Sequence, residues 1–583
     1  MSYRQTVDFL LYDWLDVESL TKRERYAEHS RETFDAVLDL CAEIATERFA
    51  PHNKLSDSAE PEFVDGRVVL PAEVKVALDA VAEAGLIGSG MDERVGGLQV
   101  PQVVQTACFA WFQAANIGTW SYAMLTVGDA NLLLAHGSGE QVDAYVRPMV
   151  EGRFHGTMCL SEPQAGSSLA DITTRAEPAD DGSFRLFGTK MWISGGDHEL
   201  GENIVHLVLA KIPDSPPGVR GISLFLVPKY LPSGERNDVA LAGLNHKMGY
   251  RGTVNTVLNF GEAAGAVGWL VGAPNQGLAA MFHMMNEARV AVGAGAVALG
   301  YTGYLKSLDY ARTRTQGRPP GAKDPAAPPV PLVEHADVRR MLLAQKAFVE
   351  GGLGLVLYCG KLLDEERTAE TPEARAHAHL MLEVLTPIAK SWPSQYCLQA
   401  NDLAIQVHGG YGYTREYDVE QHYRDNRLNP IHEGTHGIQA VDLLGRKVVM
   451  ADAAGLTALS AARRETVGAA LAAGGEAAEL GGALDAALTE LVDTTAAIHG
   501  ADLDPAARLA NASVYLEAAG HVVVAWVWLA QFLATGDRDD AFYQGKRQAA
   551  RYFYRFELPQ TGPKFDLLAR LDPTTVETDP EWL

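Results

Sequence analysis

The sequence predicts an α+β multidomain protein. It would comprise an N-terminal helical domain (1–155), a middle antiparallel β domain (156–275), a C-terminal helical bundle (276–450) and an additional helical domain (451–583). Three observations lead there. The 583 residues exceed the ~150 of a single domain several-fold. Apolar residues recur at helical spacing on both flanks, whereas the stretch between them breaks into short β-rich runs separated by Gly, Pro and Asp. Beyond Met450 the composition turns Ala- and Leu-rich, punctuated by Gly474-Gly475 and Gly481-Gly482.

In chain order, Arg31 to Phe49 places Phe34, Val37, Leu38, Cys41, Ile44 and Ala45 on one face, and 72–86 and 101–130 behave likewise. The aromatic cluster Phe109, Trp111, Phe112, Trp120 and Tyr122 reads mainly as core, with one or two side chains lining an apolar pocket. Strands are expected at 157–160, 184–187, 190–193, 204–211, 222–227 and 253–260. Helices are expected again at 278–314 and 335–363. Between these lies Arg318 to Pro331, with six prolines, including Pro319, Pro325 and Pro331. The helical pattern of 373–407 contains Pro387 and Pro393, which predict a kink or break. The heptads beyond 450 are not sustained, so that segment reads as a compact helical domain and not a coiled tail.

A formal charge of -25 argues against a nucleic-acid partner, which favours a basic surface. Five cysteines are scattered without C-x-x-C or metal spacing and read as reduced thiols, implying a cytoplasmic protein with no metal. The opening MSYRQTVDFLLYDW lacks a basic n-region and a long apolar run, so it does not read as a secretory signal. No segment reads as a membrane span, the most apolar late stretch being 521–535.

The chemistry concentrates in Gln406 to Lys447. Gly409-Gly410-Tyr411-Gly412 opens it, and Asn429-Pro430-Ile431-His432-Glu433-Gly434-Thr435 follows as a turn with one carboxylate at its tip, just ahead of a new helix. Alone, that carboxylate would read as a helix cap. Its company changes the reading. The block resembles the acyl-CoA dehydrogenase family, whose catalytic base sits in an E-G-T turn following a Q-x-x-G-G segment. Met158-Cys159-Leu160-Ser161-Glu162-Pro163-Gln164-Ala165-Gly166-Ser167 is similar to the family's T-E-P-x-A-G-S signature, with Ser161 replacing Thr but keeping the hydroxyl. Lys190-Met191-Trp192-Ile193-Ser194 resembles its strand-edge signature. Tyr310 to Gly317 resembles its Y-A-x-x-R-x-x-F-G arginine, departing in lacking the Phe, which leaves the register of Arg312 against Arg314 open.

The resemblance covers roughly residues 30 to 450. With the extra helices, the chain looks like the family's long bacterial branch, which includes methylthiopropanoyl-CoA and fatty acyl-CoA dehydrogenases. It implies FAD-dependent α,β-dehydrogenation of an acyl-CoA thioester to the trans-2-enoyl-CoA in fatty acid β-oxidation. Glu433 would take the α-proton, and the β-hydride would pass to flavin N5. The thioester oxygen would be held by the Glu433 N–H and a ribityl hydroxyl. The implied flavin contacts are Met158, Leu160, Ser161, Ser167, Trp192, Ile193, Ser194, Arg314, Gln316, Gln406, Gly409, Gly410 and Thr435. Implied substrate contacts are Ser167, Asn286, Arg289 and Gly434, an exposed helix arginine being the alternative for Arg289. Electron-transferring flavoprotein is the implied acceptor, and a homodimer the expected assembly. An acyl-CoA oxidase using O₂, or a non-enzymatic flavoprotein of this fold, are the alternatives.

Overall fold

The computed structural model describes residues 3–321, 324 and 326–583, with the backbone alone for 282–285; Pro325 of the proline segment lies outside the described residues. Two compact units emerge, one from residues 31–100 and 111–288, the other from 1–30, 101–110 and 289–583. This grouping cuts across chain order for a local reason. The buried Asp364 carboxylate accepts from Tyr26 Oη (2.5 Å) and from the main-chain N–H groups of Gln102 (2.7 Å) and Val103 (3.0 Å), tying both early segments to the late helices.

In the first unit the helix Arg31–Ile44 buries Phe34, Leu38 and Cys41, and the helix Ala72–Glu83 buries Val74, Ala77, Leu78 and Val81. A hairpin that the sequence reading missed, β1 (Glu62–Val64) and β2 (Arg67–Val69), lies between them. Helix Gln102–His136 is interrupted at Asn116 (φ -163°, ψ 89°), whose Oδ1 accepts from Thr119 N (3.0 Å) and restarts the helix as an N-cap would. The ring of Trp120 is fully buried and stacks on Phe112 at 4.6 Å, so it belongs to the core.

Eight strands follow: β3 (Phe154–Cys159), β4 (Arg175–Pro178), β5 (Phe184–Ser194), β6 (Asn203–Lys211), β7 (Ile222–Pro228), β8 (Val239–Leu244), β9 (Asn255–Phe260) and β10 (Ala266–Val271). They run in the order β10-β7-β6-β4-β5-β9-β8, with β3 beside β6 and a further β10–β5 pairing that closes part of the sheet into a ring. Most pairings are antiparallel, as expected, but β3 runs parallel to β6. The runs 184–187 and 190–193, read as separate strands, are two halves of β5. Its first half pairs with β4 and β10, its second with β9. Leu186, Ile193, Val208, Phe225 and Leu258 fill the interior.

The second unit is built on three long helices, Gly277–Thr313 (from 289 onward), Ala336–Thr368 and Pro372–His408. The expected break at Pro387 or Pro393 does not occur; the last helix runs as one element of 37 residues. Pro393 removes the N–H that would bond the Ala389 carbonyl. Gly293 of the neighbouring helix approaches that oxygen so closely that a Cβ would lie 2.0 Å from it, putting a Cα–H donor in place of the lost amide. The base of the proline segment closes on itself through Gln316 N to Val330 O (2.9 Å) and Val330 N to Gly317 O (3.1 Å).

The segment after 450 docks on this unit, as its apolar faces require. Its helix Ala512–Ala534 lies against both Ala336–Thr368 and Pro372–His408. Gly351 and Gly354 make room for Trp528 and Val527, and Trp528 Nε1 donates to Ala347 O (3.0 Å). The chain ends also meet here: Phe9 packs on Phe542 and Tyr543, and Asp13 pairs with Arg538 (2.8 Å). Contrary to the sequence reading, two helices, Ala336–Thr368 and Pro505–Ala534, are long and apolar enough to cross a membrane. Their most apolar windows are 89% and 78% buried in the protein because they pack on each other and their neighbours. All five cysteines are buried, and none forms a disulfide among the described residues.

Candidate active site

In the first unit, a cluster of candidate site residues begins where β3 ends. Glu162 is 2% exposed and its carboxylate is saturated. Oε1 accepts from Lys190 Nζ (3.0 Å), Thr174 N (3.0 Å) and Thr174 Oγ1 (2.6 Å). Oε2 accepts from Thr173 N (2.7 Å), Thr173 Oγ1 (2.8 Å) and Gln164 Nε2 (2.8 Å). Burial pushes this carboxyl up, but the Lys190 charge and the surrounding donors outweigh it and hold the group at about 2. Lys190 also donates to Leu160 O (3.0 Å), so the loop from 160 to 174 is strapped to β5.

That strap presents Trp192. It sits at a bulge between Met191 and Ile193 with φ +66°, a left-handed backbone rare for a bulky residue, and its side chain is 58% exposed. Met191 N donates to Ser161 O (3.0 Å), Thr157 Oγ1 to Ser194 O (2.5 Å) and Asn255 Nδ2 to Ser194 Oγ (3.2 Å). Ser161, Trp192 and Ser194 therefore lie on one rim. Met158 and Leu160 are half-buried beside it, Ser167 is exposed and Asn286 is half-buried on its helix. Ile193 differs from the rest. Its side chain is in the barrel interior, which leaves only its main chain for a cofactor.

In the other unit Glu433 occupies the tip of its turn with φ +51°, followed by Gly434 at φ +85°. A side chain at Gly434 would meet Gln439 Nε2 at 2.6 Å, the same amide that donates to Glu433 O (3.0 Å). Thr435 caps the next helix, its Oγ1 accepting from Ile438 N (3.3 Å). The Glu433 N–H takes part in no hydrogen bond of the turn among the described residues. Burial raises the Glu433 pKa, while the charges of Lys390 and Arg289 oppose that rise. Arg289 is not an exposed helix arginine. It is 4% exposed, Nη1 donates to Asp442 Oδ2 (3.0 Å), and its Nε has no hydrogen-bond partner among the described residues.

Asn401, Asn426 and Lys390, absent from the sequence reading, hold this turn together with its own Asn429 and His432. Asn401 Nδ2 donates to Leu299 O (2.9 Å), Asn426 Nδ2 to Asn401 Oδ1 (2.7 Å) and Asn429 Nδ2 to Asn426 Oδ1 (2.9 Å); His432 Nε2 meets Asn429 Oδ1 at 3.0 Å. All three asparagines are fully buried. Lys390, also fully buried, donates to Asn429 O (2.8 Å) and Gly434 O (2.7 Å). A lone lysine within the apolar run from Leu385 to Trp392 was the signal available in the sequence.

A separate cleft of about 530 Å³ in this unit is lined by Lys306, Tyr310, Arg314, His408, Tyr411 and Tyr417, among others. The Arg314 guanidinium lies 5.9 Å from the Tyr411 ring centre and the Tyr310 and His408 rings stack at 4.4 Å. Arg314, and not Arg312, lines this cleft. Gln316, Gln406, Gly409 and Gly410 are exposed. An exposed indole with hydroxyls on its rim suits a flavin ring, and an exposed guanidinium whose hydrogen-bond contact to Gln316 Oε1 is a long one (3.5 Å), beside stacked rings, suits a dinucleotide's phosphates.

Models of the acyl-CoA dehydrogenase N-terminal, middle and C-terminal domains match residues 31–153, 157–262 and 275–449, and one described as acetyl-CoA dehydrogenase C-terminal like matches 458–579. Fold and site together define a flavin-dependent oxidoreductase. The chain belongs to the acyl-CoA dehydrogenase family, and its cofactor is FAD. It is 41% identical over 445 residues to a 3-methylmercaptopropionyl-CoA dehydrogenase of Ruegeria pomeroyi, covering 75% of this chain and 74% of that one. It is 33% identical to the broad-specificity linear acyl-CoA dehydrogenase FadE5 of Mycobacterium tuberculosis, over 99% of both chains. In fold it is similar to an acyl-CoA dehydrogenase complexed with FAD from Bacillus anthracis (TM-score 0.76, 19% identity, 95% of this chain and 90% of that one).

Proposed function

We propose that the enzyme oxidises an acyl-CoA thioester to the trans-2-enoyl-CoA with Glu433 as the α-proton base. The observation that carries this reading is the Glu433 turn itself. A carboxylate with a raised pKa stands on a strained left-handed backbone, its carbonyl held by Gln439 and its own N–H left for a ligand. A carboxylate is a weak base in water, and burial brings its pKa toward neutrality. The unpartnered N–H is suited to hold the thioester oxygen as negative charge develops there. FAD, when bound, supplies the hydride acceptor at N5 for the Cβ hydrogen. Trp192, Ser161 and Ser194 would hold its ring system, with Arg314 toward its pyrophosphate.

Glu433→Gln tests the assignment. Flavin absorbance should be retained while substrate-driven flavin reduction falls about 10² to 10⁴-fold. Retention of more than about a tenth of the wild-type rate would assign the base to another carboxylate. A panel of linear, branched, aromatic and thioether acyl-CoA thioesters defines the acyl group, and the 41% identical relative makes the thioether the first member to try. Electron-transferring flavoprotein is the acceptor this reading assigns, in keeping with the fold likeness to a chain from an electron-transferring flavoprotein study and the sequence likeness to a caffeyl-CoA reductase–Etf complex subunit. The reading also includes a cytoplasmic homodimer serving fatty acid β-oxidation.

A further inference from the structure

We propose that Lys390 is a positioning residue for the base: its ammonium ties together both ends of the turn carrying Glu433 and supplies the positive charge against which that carboxylate ionises. The inference rests on Glu433 being the base. Geometry carries it. Nζ donates to Asn429 O (2.8 Å) on the entering side of the turn and to Gly434 O (2.7 Å) on the leaving side, so one group closes a loop whose tip is Glu433. The next residue, Ser391, reaches His436 Nδ1 (2.8 Å) in the following helix, anchoring the turn to the same stretch of helix. The Lys390 side chain is fully buried with neutral carbonyls as its hydrogen-bond partners, a costly place for a charge unless a carboxylate stands nearby.

The electrostatics agree. Burial lowers Lys390 to about 7, with Glu433 opposing and Arg289 adding to that fall. Glu433 in turn faces Lys390 from the Pro372–His408 helix and Arg289 from the Gly277–Thr313 helix. His432 of the turn is held near 3 by burial and then by the Lys390 charge, and so stays neutral. His436 of the following helix is also lowered by burial and faces Glu517, Lys390 and Lys564. Arg289 already spends its charge on Asp442 (3.0 Å), whereas Lys390 makes no such ion pair among the described residues. Removing Lys390 therefore removes positive charge from beside the base.

The sign follows. The base works deprotonated, so the rate rises with pH through the Glu433 pKa, and loss of a neighbouring positive charge moves that limb upward. The test measures kcat/KM against pH for FAD-loaded wild type, Lys390→Met and Lys390→Arg, using whichever acyl-CoA of the panel reduces the flavin fastest. Lys390→Met should move the acid limb up by roughly one unit while keeping the flavin spectrum. Lys390→Arg, which keeps charge and donors, should hold the limb near its wild-type position. A uniform fall at every pH in Lys390→Met, or an arginine variant no nearer wild type than the methionine one, overturns the proposal. Should Lys390→Met not retain FAD, the arginine variant decides alone, and a displaced limb there overturns it. Glu433→Gln separates the two readings. If that variant stays active the base assignment fails, whereas an inactive Glu433→Gln with an unshifted Lys390→Met profile removes only the role of Lys390.

Discussion

At the scale of single residues, a buried ion pair and an exposed indole shape the site, and each gives a measurable expectation. Glu162 and Lys190 are 3.0 Å apart and both buried. Breaking such a pair strands a charge, so Glu162→Gln should destabilise the protein by about 3–5 kcal/mol and loosen the loop that carries Ser161. The folded Glu162 pKa of about 2 lies below the ordinary glutamate range. Its stabilising contribution is therefore full above about pH 4.5 and is lost as pH falls toward 2, a window that acid melting of wild type against the variant can follow. Trp192 predicts the opposite pattern. Exposed and strained, it contributes little to the core, so Trp192→Ala should weaken FAD retention and alter the flavin spectrum while leaving the melting of FAD-free protein nearly unchanged. The Glu433 turn was legible because Gly and a lone carboxylate ahead of a helix are written side by side. The asparagine chain from Asn401 to Asn429 was not, since its members are scattered in sequence and meet only in the packed fold.

At the scale of elements, the long strands and helices followed their apolar periods, and the differences came from chemistry a neighbour supplies. Pro393 in sequence argues for a break; Gly293, a hundred residues away, lets the helix continue. Asn116 shows the converse, a polar side chain that caps a new turn inside what reads as one continuous helix. The strands β4, β8 and β10 escaped the sequence reading because they are short and only partly buried, so their apolar pattern is weak. The extension holds a further test in Arg463. Its side chain is fully buried, none of its three guanidinium nitrogens has a hydrogen-bond partner among the described residues, and its neighbours include Trp526, Tyr358 and Tyr515. Burial lowers this group to about 9. A buried charge with no ion-pair partner costs free energy to desolvate, so Arg463→Met should raise the melting temperature or leave it unchanged. A sharp fall would mean the cation is held by something other than those rings.

At the scale of the whole molecule, the extension covers apolar surface of the helical unit through Trp528, Val524 and Val527, seated over Gly351 and Gly354. Deleting 451–583 should uncover that surface and give aggregates or higher oligomers on size exclusion. The proposed homodimer should give a light-scattering mass near twice 62.8 kDa; a mass near four times that value at low concentration would overturn it.

Because Phe9 is seated against Phe542 and Tyr543, an early segment of the chain packs on a late one. On a ribosome, more than 500 residues separate the synthesis of one from the synthesis of the other, a delay of roughly 30 to 100 s at ordinary elongation rates. Through that interval Phe9, Leu10 and Leu11 have no native partner among the last helices, and the apolar groove at Gly351 stays open until Trp528 emerges. Nascent chains arrested before residue 540 should therefore hold a chaperone at both places.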